Sequence, residues 1–419
     1  MKHYIRRIVD DELDSALSYA GAVVMRGPKA CGKTQTALQR AKSVLRVDTD
    51  QNVANLMAVD PGVLLTGETP RLLDEWQVQP RLWDYVRHAV DERNGKGQFI
   101  LTGSSTPDES SLTHSGAGRF VVLPMRTLSW QELGYSDGYV NLDSILTVNG
   151  KIDAKEYRLP VQEIIRRMVI GGWPELVGVD EAGARRINAG YVRLLAEVDM
   201  SRVSDVRRDP GKVRQLVRSI ARNVSAITEV TTFVKDIQTA GNEELSRPTV
   251  TDYLDALDRL MVIEDQPAWN THIRSSAALR KTPKRHFADV SLAVAALGLD
   301  GTALLNNLNY TGFLFESLAI HDLRVYAQTL DAEVRYYRDS SGLEVDAIVQ
   351  KPNGDVAAFE VKLGEGYVDE AARNLLAFHD NLDTSRVKVT SLNVVTGSGY
   401  AYTRPDGINV IPLGALGVA

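Results

Sequence analysis

The octapeptide GPKACGKT, residues 27–34, has the residue types and spacing to grip a nucleoside triphosphate. Gly27 and Gly32 let successive backbone N–H groups turn inward on phosphate oxygens. The helix that comes next adds its positive end, Lys33 can reach the β- and γ-phosphates, and the Thr34 hydroxyl can take magnesium. Gly27, Pro28, Lys29, Ala30, Cys31, Gly32, Lys33 and Thr34, with Gln35 beside them, are therefore expected to line the nucleotide. Such a loop needs acids on a neighbouring strand end. LLDEWQ, residues 72–77, offers Asp74 for the magnesium shell and Glu75 to orient or deprotonate the attacking water. FILTGSS, residues 99–105, closes another apolar run with hydroxyls, of which Ser104 or Thr102 can touch the γ-phosphate or the water. Arg119, in SGAGRF, can deliver positive charge to the γ-phosphate, an effect on the order of 10³ to 10⁵ in rate where it operates.

A second constellation lies nearer the C-terminus. LEVD ends at Asp346, and after the turn KPNGD the run FEVK carries Glu360 and Lys362. Alternation along a strand puts positions 360 and 362 on one face, where Asp346 can arrive from the adjacent strand. Two carboxylates can hold a magnesium ion, and a lysine beside them can position or activate water against a phosphodiester. Glu316, on the preceding helix, can complete the shell.

These residues need elements to place them. From about 20 to 125, strand-like runs (AVVM, RLLD, QFILTG, RFVVLP) alternate with segments of helical spacing such as TQTALQRAKSVL and RLWDYVRHAVDER. That alternation predicts a parallel sheet with crossover helices. From roughly 140 to 225 the pattern is helical, punctuated at Gly171, Gly172 and Pro174. SRPTVTDYLDALDRLMVIEDQPAW reads as a capped helix followed by an extended segment, with Ser246 as cap and Pro248 in the first turn. Helices followed by a small β unit are how a winged helix-turn-helix looks in sequence. From about 310, a helix, the strands VRYYRD, LEVDAIVQ and VAAFEVKL, another helix and further strands make an α/β domain. The expected division is 1–140 for the P-loop domain, 141–225 for a helical region, 226–285 for a winged-helix-like domain and 286–419 for the last α/β domain.

GPKACGKT, LLDEWQ, ILTGSS, AGRF with LPMRTLSWQELG, and GGWPE together resemble the bacterial and archaeal ATP-binding proteins that join an AAA-type domain to a C-terminal domain of unknown function. The resemblance runs on through TVTDYLDALDRLMVI, TPKRHFADVSLA, FLFESLAIHDL and LEVDAIVQ with FEVK, so it spans nearly the whole chain. It implies an AAA-like core with Asp74 and Glu75 in the Walker B roles, Ser104 near the sensor position and Arg119 as a finger. Fingers of this class commonly act from a neighbouring subunit, which implies a homo-oligomer. Trp76 departs from the family, which usually has a smaller residue there. The order Asp346, then Glu360-x-Lys362, after a helix glutamate at 316, resembles the restriction-endonuclease-like core, with Lys362 as its catalytic lysine.

A net charge of -6 and a pI near 5.8 exclude charge-driven nucleic-acid binding by the molecule as a whole, so any such contact must be local. Local basic clusters exist in Arg202, Arg207, Arg208, Lys212, Arg214, Arg218 and Arg222, and in the link Arg280, Lys281, Lys284 and Arg285. His272, His286 and His321 lack metal-ligand spacing and read as structural. The single cysteine, Cys31, excludes an intramolecular disulfide. The N-terminal segment lacks a signal peptide's apolar stretch, and no run approaches the roughly 18 apolar residues of a membrane span, so a cytoplasmic, non-membrane protein is expected. The expected activity is magnesium-dependent ATP hydrolysis, with ATP and ADP as ligands, coupled to action on DNA or RNA through the C-terminal half. The alternative is an ATP-gated switch that engages a protein partner through a catalytically inactive nuclease-like scaffold.

Overall fold

The computed structural model describes residues 4–105, 115–147, 150–201, 203, 208–240, 246–270, 281–383 and 387–419. Arg202, Arg207, His272 and Arg280 lie outside the described residues. The N-terminal part runs α1 (Val9–Tyr19), β1 (Ala22–Arg26), α2 (Lys33–Leu38), β2 (Ser43–Arg46), α3 (Val53–Val59), β3 (Arg71–Asp74), α4 (Leu82–Arg93), β4 (Phe99–Gly103) and β5 (Phe120–Pro124). Its strands form one parallel sheet in the order β2-β3-β4-β1-β5. Parallel strands are covered by helices on both faces, so they read as unbroken apolar runs. Ala22 to Met25 and Phe99 to Leu101 are fully buried accordingly, each larger side chain contributing about 1.5–3 kcal/mol of apolar burial. β4 lies between the strand that feeds the phosphate loop and the strand that ends in Asp74. TQTALQRAKSVL is not helical throughout. α2 stops at Leu38, and SVLR becomes the edge strand β2, in which only Leu45 is buried. Its pairing with β3, not an apolar pattern, makes it a strand.

The middle of the chain supplies β6 (Val140–Asn141), α5 (Leu142–Thr147), β7 (Lys155–Tyr157), α6 (Val161–Ile170), α7 (Glu181–Glu197), α8 (Pro210–Arg222), α9 (Val230–Ala240), α10 (Arg247–Arg259), β8 (Ile263–Gln266), β9 (Lys284–Phe287) and α11 (Val290–Leu297). In α8, Asp209 caps the start by accepting from Lys212 N–H, and Pro210 sits where no N–H is needed. Val213, Leu216, Val217 and Ile220 then recur at helical spacing and are buried. α11 packs on α6, α7 and α8. Ser246 caps α10, whose Val250, Tyr253, Leu254 and Leu257 face inward, and β8 and β9 come next as an antiparallel pair.

The last part comprises α12 (Gly301–Leu305), α13 (Leu308–Gln328), β10 (Glu333–Arg338), β11 (Glu344–Gln350), β12 (Asp355–Lys362), α14 (Val368–Asp380), β13 (Lys388–Thr396), β14 (Gly399–Thr403), β15 (Asn409–Pro412) and β16 (Leu416–Gly417). A seven-stranded sheet runs β10-β11-β12-β13-β15-β14-β7. Its final strand and the β6–β16 pair correct the expectation of an all-helical start to the middle region. Residues 140–157 lend short strands to C-terminal partners, and two- and three-residue strands such as VN and KEY carry no readable periodicity. One apolar cluster joins Trp130, the middle helices, α13 and Val418. Among the described residues no helix is long and apolar enough to cross a membrane.

Candidate functional site

The phosphate loop leaves β1 after Arg26 and enters α2 at Lys33. Backbone approach explains both glycines of the motif: a Cβ at position 27 would lie 2.0 Å from the Met125 carbonyl oxygen, and Gly32 has φ 108°, a left-handed conformation that favours glycine. The buried Lys33 ammonium donates to the carbonyls of Gly27 and Pro28, both at 2.8 Å. Cys31 is buried, whereas Lys29, Ala30 and Gln35 are exposed along the loop and the first turn of α2.

Asp74, at the exit of β3, gathers two hydroxyls on one oxygen: Thr34 Oγ1 donates to its Oδ1 at 2.8 Å and Thr102 Oγ1 at 2.6 Å. Thr102 thus holds the acid rather than a water. Two oxygen groups, a hydroxyl and a carboxylate, meet at the mouth of the phosphate loop, a set that fits magnesium's preference for hard oxygen ligands. Glu75 comes next in a left-handed conformation, φ 55° and ψ 41°, which costs a non-glycine residue about 1–2 kcal/mol. The kink turns its carboxylate toward Ser104, whose hydroxyl donates to Oε2 at 3.2 Å, and toward the Gln77 amide, which donates to the same oxygen. Trp76 is fully buried with its ring centroid 5.0 Å from that of Trp83, filling the space behind the acids. Gln77 is not legible as a site residue from the sequence, because a glutamine two positions past an acid pair has no distinguishing spacing.

Arg119 is elsewhere in its own chain. It precedes β5, and its carbonyl accepts from Ala22 N–H at the entry edge of the sheet, whereas the phosphate loop leaves the exit edge, roughly 16 Å away for a five-residue strand. Its guanidinium donates to Asp91 at 2.7 Å. A lone arginine after glycines here finds a nearby aspartate, and it cannot reach phosphates bound to the same chain. Three other contacts reach the loop. Arg7, only 4% exposed, donates to the Cys31 carbonyl at 2.9 Å, to Glu132 at 2.9 Å and to the carbonyls of Arg126 and Thr127 at 2.8 and 3.2 Å. From α7, Tyr191 donates to the Lys29 carbonyl at 3.3 Å, and Asp199 pairs with the Lys29 ammonium at 3.4 Å. None obeys a motif spacing, so only the tertiary fold reveals them.

The C-terminal residues also come together, with an unexpected member. Glu360 Oε2 meets Lys362 Nζ at 2.8 Å, and Asp346 Oδ2 lies 3.7 Å from the same ammonium and accepts from Val361 N–H at 2.9 Å. Asn374 donates to Glu360 Oε1 at 2.6 Å. Where Glu316 and Asp346 converge, however, the Lys284 ammonium sits 2.9 Å from Glu316 Oε1, 2.7 Å from Glu344 Oε1 and 3.4 Å from Asp346 Oδ1. Among the described residues no group of three or more His, Cys, Asp and Glu side chains is disposed to hold a metal. At the magnesium site expected from Glu316, Asp346 and Glu360, the carboxylates are instead paired with ammonium groups, Glu316 and Asp346 with Lys284 and Asp346 and Glu360 with Lys362. Burial, then the Asp346 charge, pushes Glu316 and Glu360 up to about 8. Burial works against the Lys284 ammonium, but Glu316, Asp346 and Glu344 raise it well above the ordinary lysine value.

The expected phosphate-holding basic residues are largely engaged within the chain. Arg208 is buried against Asp252 at 2.9 Å, Arg214 meets Glu197 at 3.5 Å and Arg222 meets Asp236 at 3.7 Å. Arg285 is buried, donating to the Thr228 carbonyl and paired with Asp265. Lys281 and Arg218 are exposed. His286 and His321 are buried and bonded to Ser317, Gln266, Thr127 and Asp322, as structural histidines are.

Comparison with known proteins matches three family models along the chain. Residues 20–134 match the family model described as an AAA domain, 161–303 a domain of unknown function (DUF8612) and 311–416 another (DUF4143). The N-terminal part is thus an AAA-type domain, which supports ATP binding, and the C-terminal part matches a domain described only by its unknown function. The chain is 24% identical over 366 residues to the uncharacterized proteins Rv2008c of Mycobacterium tuberculosis and Mb2031c of Mycobacterium bovis, spanning 85% of this chain and 74% of each relative. Among solved structures it is similar to the Walker-type ATPase PABY2304 of Pyrococcus abyssi, at 14% identity and a TM-score of 0.43 over 68% of this chain and 94% of that one. It is also similar to the Orc1 protein of Aeropyrum pernix in complex with DNA, at 13% identity and a TM-score of 0.28 over 70% and 92%. Likenesses this distant say nothing about the chemistry or the ligands of this chain.

Proposed function

We propose that this protein is a magnesium-dependent ATP hydrolase whose nucleotide state is passed to its C-terminal half. The observation that carries the reading is the convergence of Thr34, Thr102 and Asp74 at the mouth of the phosphate loop, with the strained Glu75 beside them. Loop amides and Lys33 bind the triphosphate. Thr34 and Asp74 are the residues that would hold magnesium, which neutralises charge on the β- and γ-phosphates when bound. Glu75 accepts a proton from water as the water oxygen bonds to the γ-phosphorus and the bond to the bridging oxygen breaks, giving ADP and phosphate. Ser104 and Gln77 fix the carboxylate that receives the proton. Nucleotide state leaves the loop through Lys29 to Asp199 and Tyr191 on the middle region, and through Arg7 to residues 126–132.

The sequence admits two readings of the C-terminal half, action on DNA or RNA and engagement of a protein partner. The burial of Arg208 against Asp252 and of Arg285 against Asp265 favours the second, since guanidiniums held inside the chain are withheld from phosphates. One experiment addresses both levels: ATP turnover by wild type and Lys33→Ala, each alone and with single-stranded DNA, duplex DNA and RNA. Turnover abolished by Lys33→Ala and indifferent to nucleic acid is expected. Equal turnover in the two proteins would refute the hydrolase, and stimulation by DNA or RNA would restore the nucleic-acid reading.

A further inference from the structure

The Lys284 side chain is delivered to the C-terminal cluster by backbone constraint. It sits on β9, in register with Gln266 on β8, and both point to the same aspartate: Gln266 Nε2 donates to the Asp346 carbonyl at 2.9 Å while Lys284 Nζ approaches the Asp346 carboxylate. Tyr336, on β10, donates to the Thr282 carbonyl and fixes the approach to β9. Both residues of the pair are almost wholly buried, Gln266 at 0% and Lys284 at 2% exposure. The pairing of β9 with β8 thus holds the backbone of Lys284 so that its ammonium lies buried among the carboxylates. Lys362 holds the other side through Glu360 and Asp346. Two ammonium groups thus face four carboxyls, those of Glu316, Glu344, Asp346 and Glu360, with no external ion needed to bridge them.

We propose that the Lys284 ammonium is the resident cation of this cluster, taking the place a divalent metal would need and joining the β8–β9 hairpin to the C-terminal sheet. The C-terminal domain is then an ion-paired scaffold rather than a metal-dependent nuclease. This stands independently of the ATPase reading, because it concerns groups outside the phosphate-loop site and its test uses no nucleotide.

The test is a Mn²⁺ titration of the full-length protein without nucleotide, monitored by electron paramagnetic resonance, on wild type, Asp346→Asn, Lys284→Ala and the double variant. Wild type is expected to show no bound ion that Asp346→Asn removes. Lys284→Ala is expected to gain one ion, bound at least about tenfold more tightly than any in wild type because the carboxylates are released to act as oxygen ligands, and the double variant to lose it. Asp346-dependent Mn²⁺ binding by wild type overturns the proposal, as does the absence of any gain in Lys284→Ala protein with a native near-UV spectrum. The wild-type and Asp346→Asn comparison decides the matter by itself if Lys284→Ala does not fold.

Discussion

Glu75 is the residue at which local geometry and chemistry meet most closely. A non-glycine residue in the left-handed region persists only where its surroundings fix it, and here Ser104 and Gln77 hold the carboxylate while Trp76 packs behind it. Glu75→Gln keeps the shape and removes the base, so turnover is expected to fall about 10²- to 10⁴-fold with ATP affinity unchanged by calorimetry. A proportional loss of affinity would instead make Glu75 a binding residue. The phosphate loop is legible in sequence because its glycines answer to backbone demands that few other residues satisfy. Arg119 and Lys284 resist such reading for one reason: a cation's role depends on which acid the fold brings to it. Asp91 claims the first, and Glu316, Glu344 and Asp346 surround the second.

Elements show the same division between local and distant causes. AVVM and FILTG declare themselves as strands because both faces of a parallel strand are apolar, and α8 and α10 carry caps and stripes that read at once. Ser246 accepts from Thr249 N–H at 3.3 Å at the start of α10, so Ser246→Ala is expected to cost about 1 kcal/mol. Thermal unfolding monitored by circular dichroism reads that cost, and an unchanged midpoint would show that the cap is idle. β2, β6 and β7 stay hidden in the sequence because partners make them strands. SVLR buries one residue, and KEY joins β14 across more than two hundred residues of sequence. KRHF is buried at all four positions despite three basic or titratable side chains, which no polarity pattern could indicate.

At the scale of the molecule, a charged joint links the AAA-type domain to the hairpin and to α13. Arg126, just past β5, donates to Glu264 on β8 at 3.0 Å, and Arg324 on α13 meets the same carboxylate at 3.3 Å. Burial pushes the Glu264 carboxyl up, but the Arg126 and Arg324 guanidiniums pull it further the other way, holding it well below the ordinary 4.5. A depressed acid contributes stability that is complete above its unfolded value and lost as pH falls from about 4.5 toward the folded value. Glu264→Gln should therefore lower the melting temperature at pH 7 by an amount that shrinks as pH falls below 4.5. A difference independent of pH would mean that the joint stabilises by packing alone.

The Arg7 guanidinium touches the phosphate loop and the segment after β5 together, and that double contact carries a thermodynamic obligation. A connection of this kind has no preferred direction. If ATP changes by some factor the grip of the C-terminal half for a partner, that partner must change by the same factor the grip of the loop for ATP, since the two belong to one free-energy cycle. An unidentified partner would thus announce itself as a change in nucleotide dissociation constant, measurable before anything else about it is known.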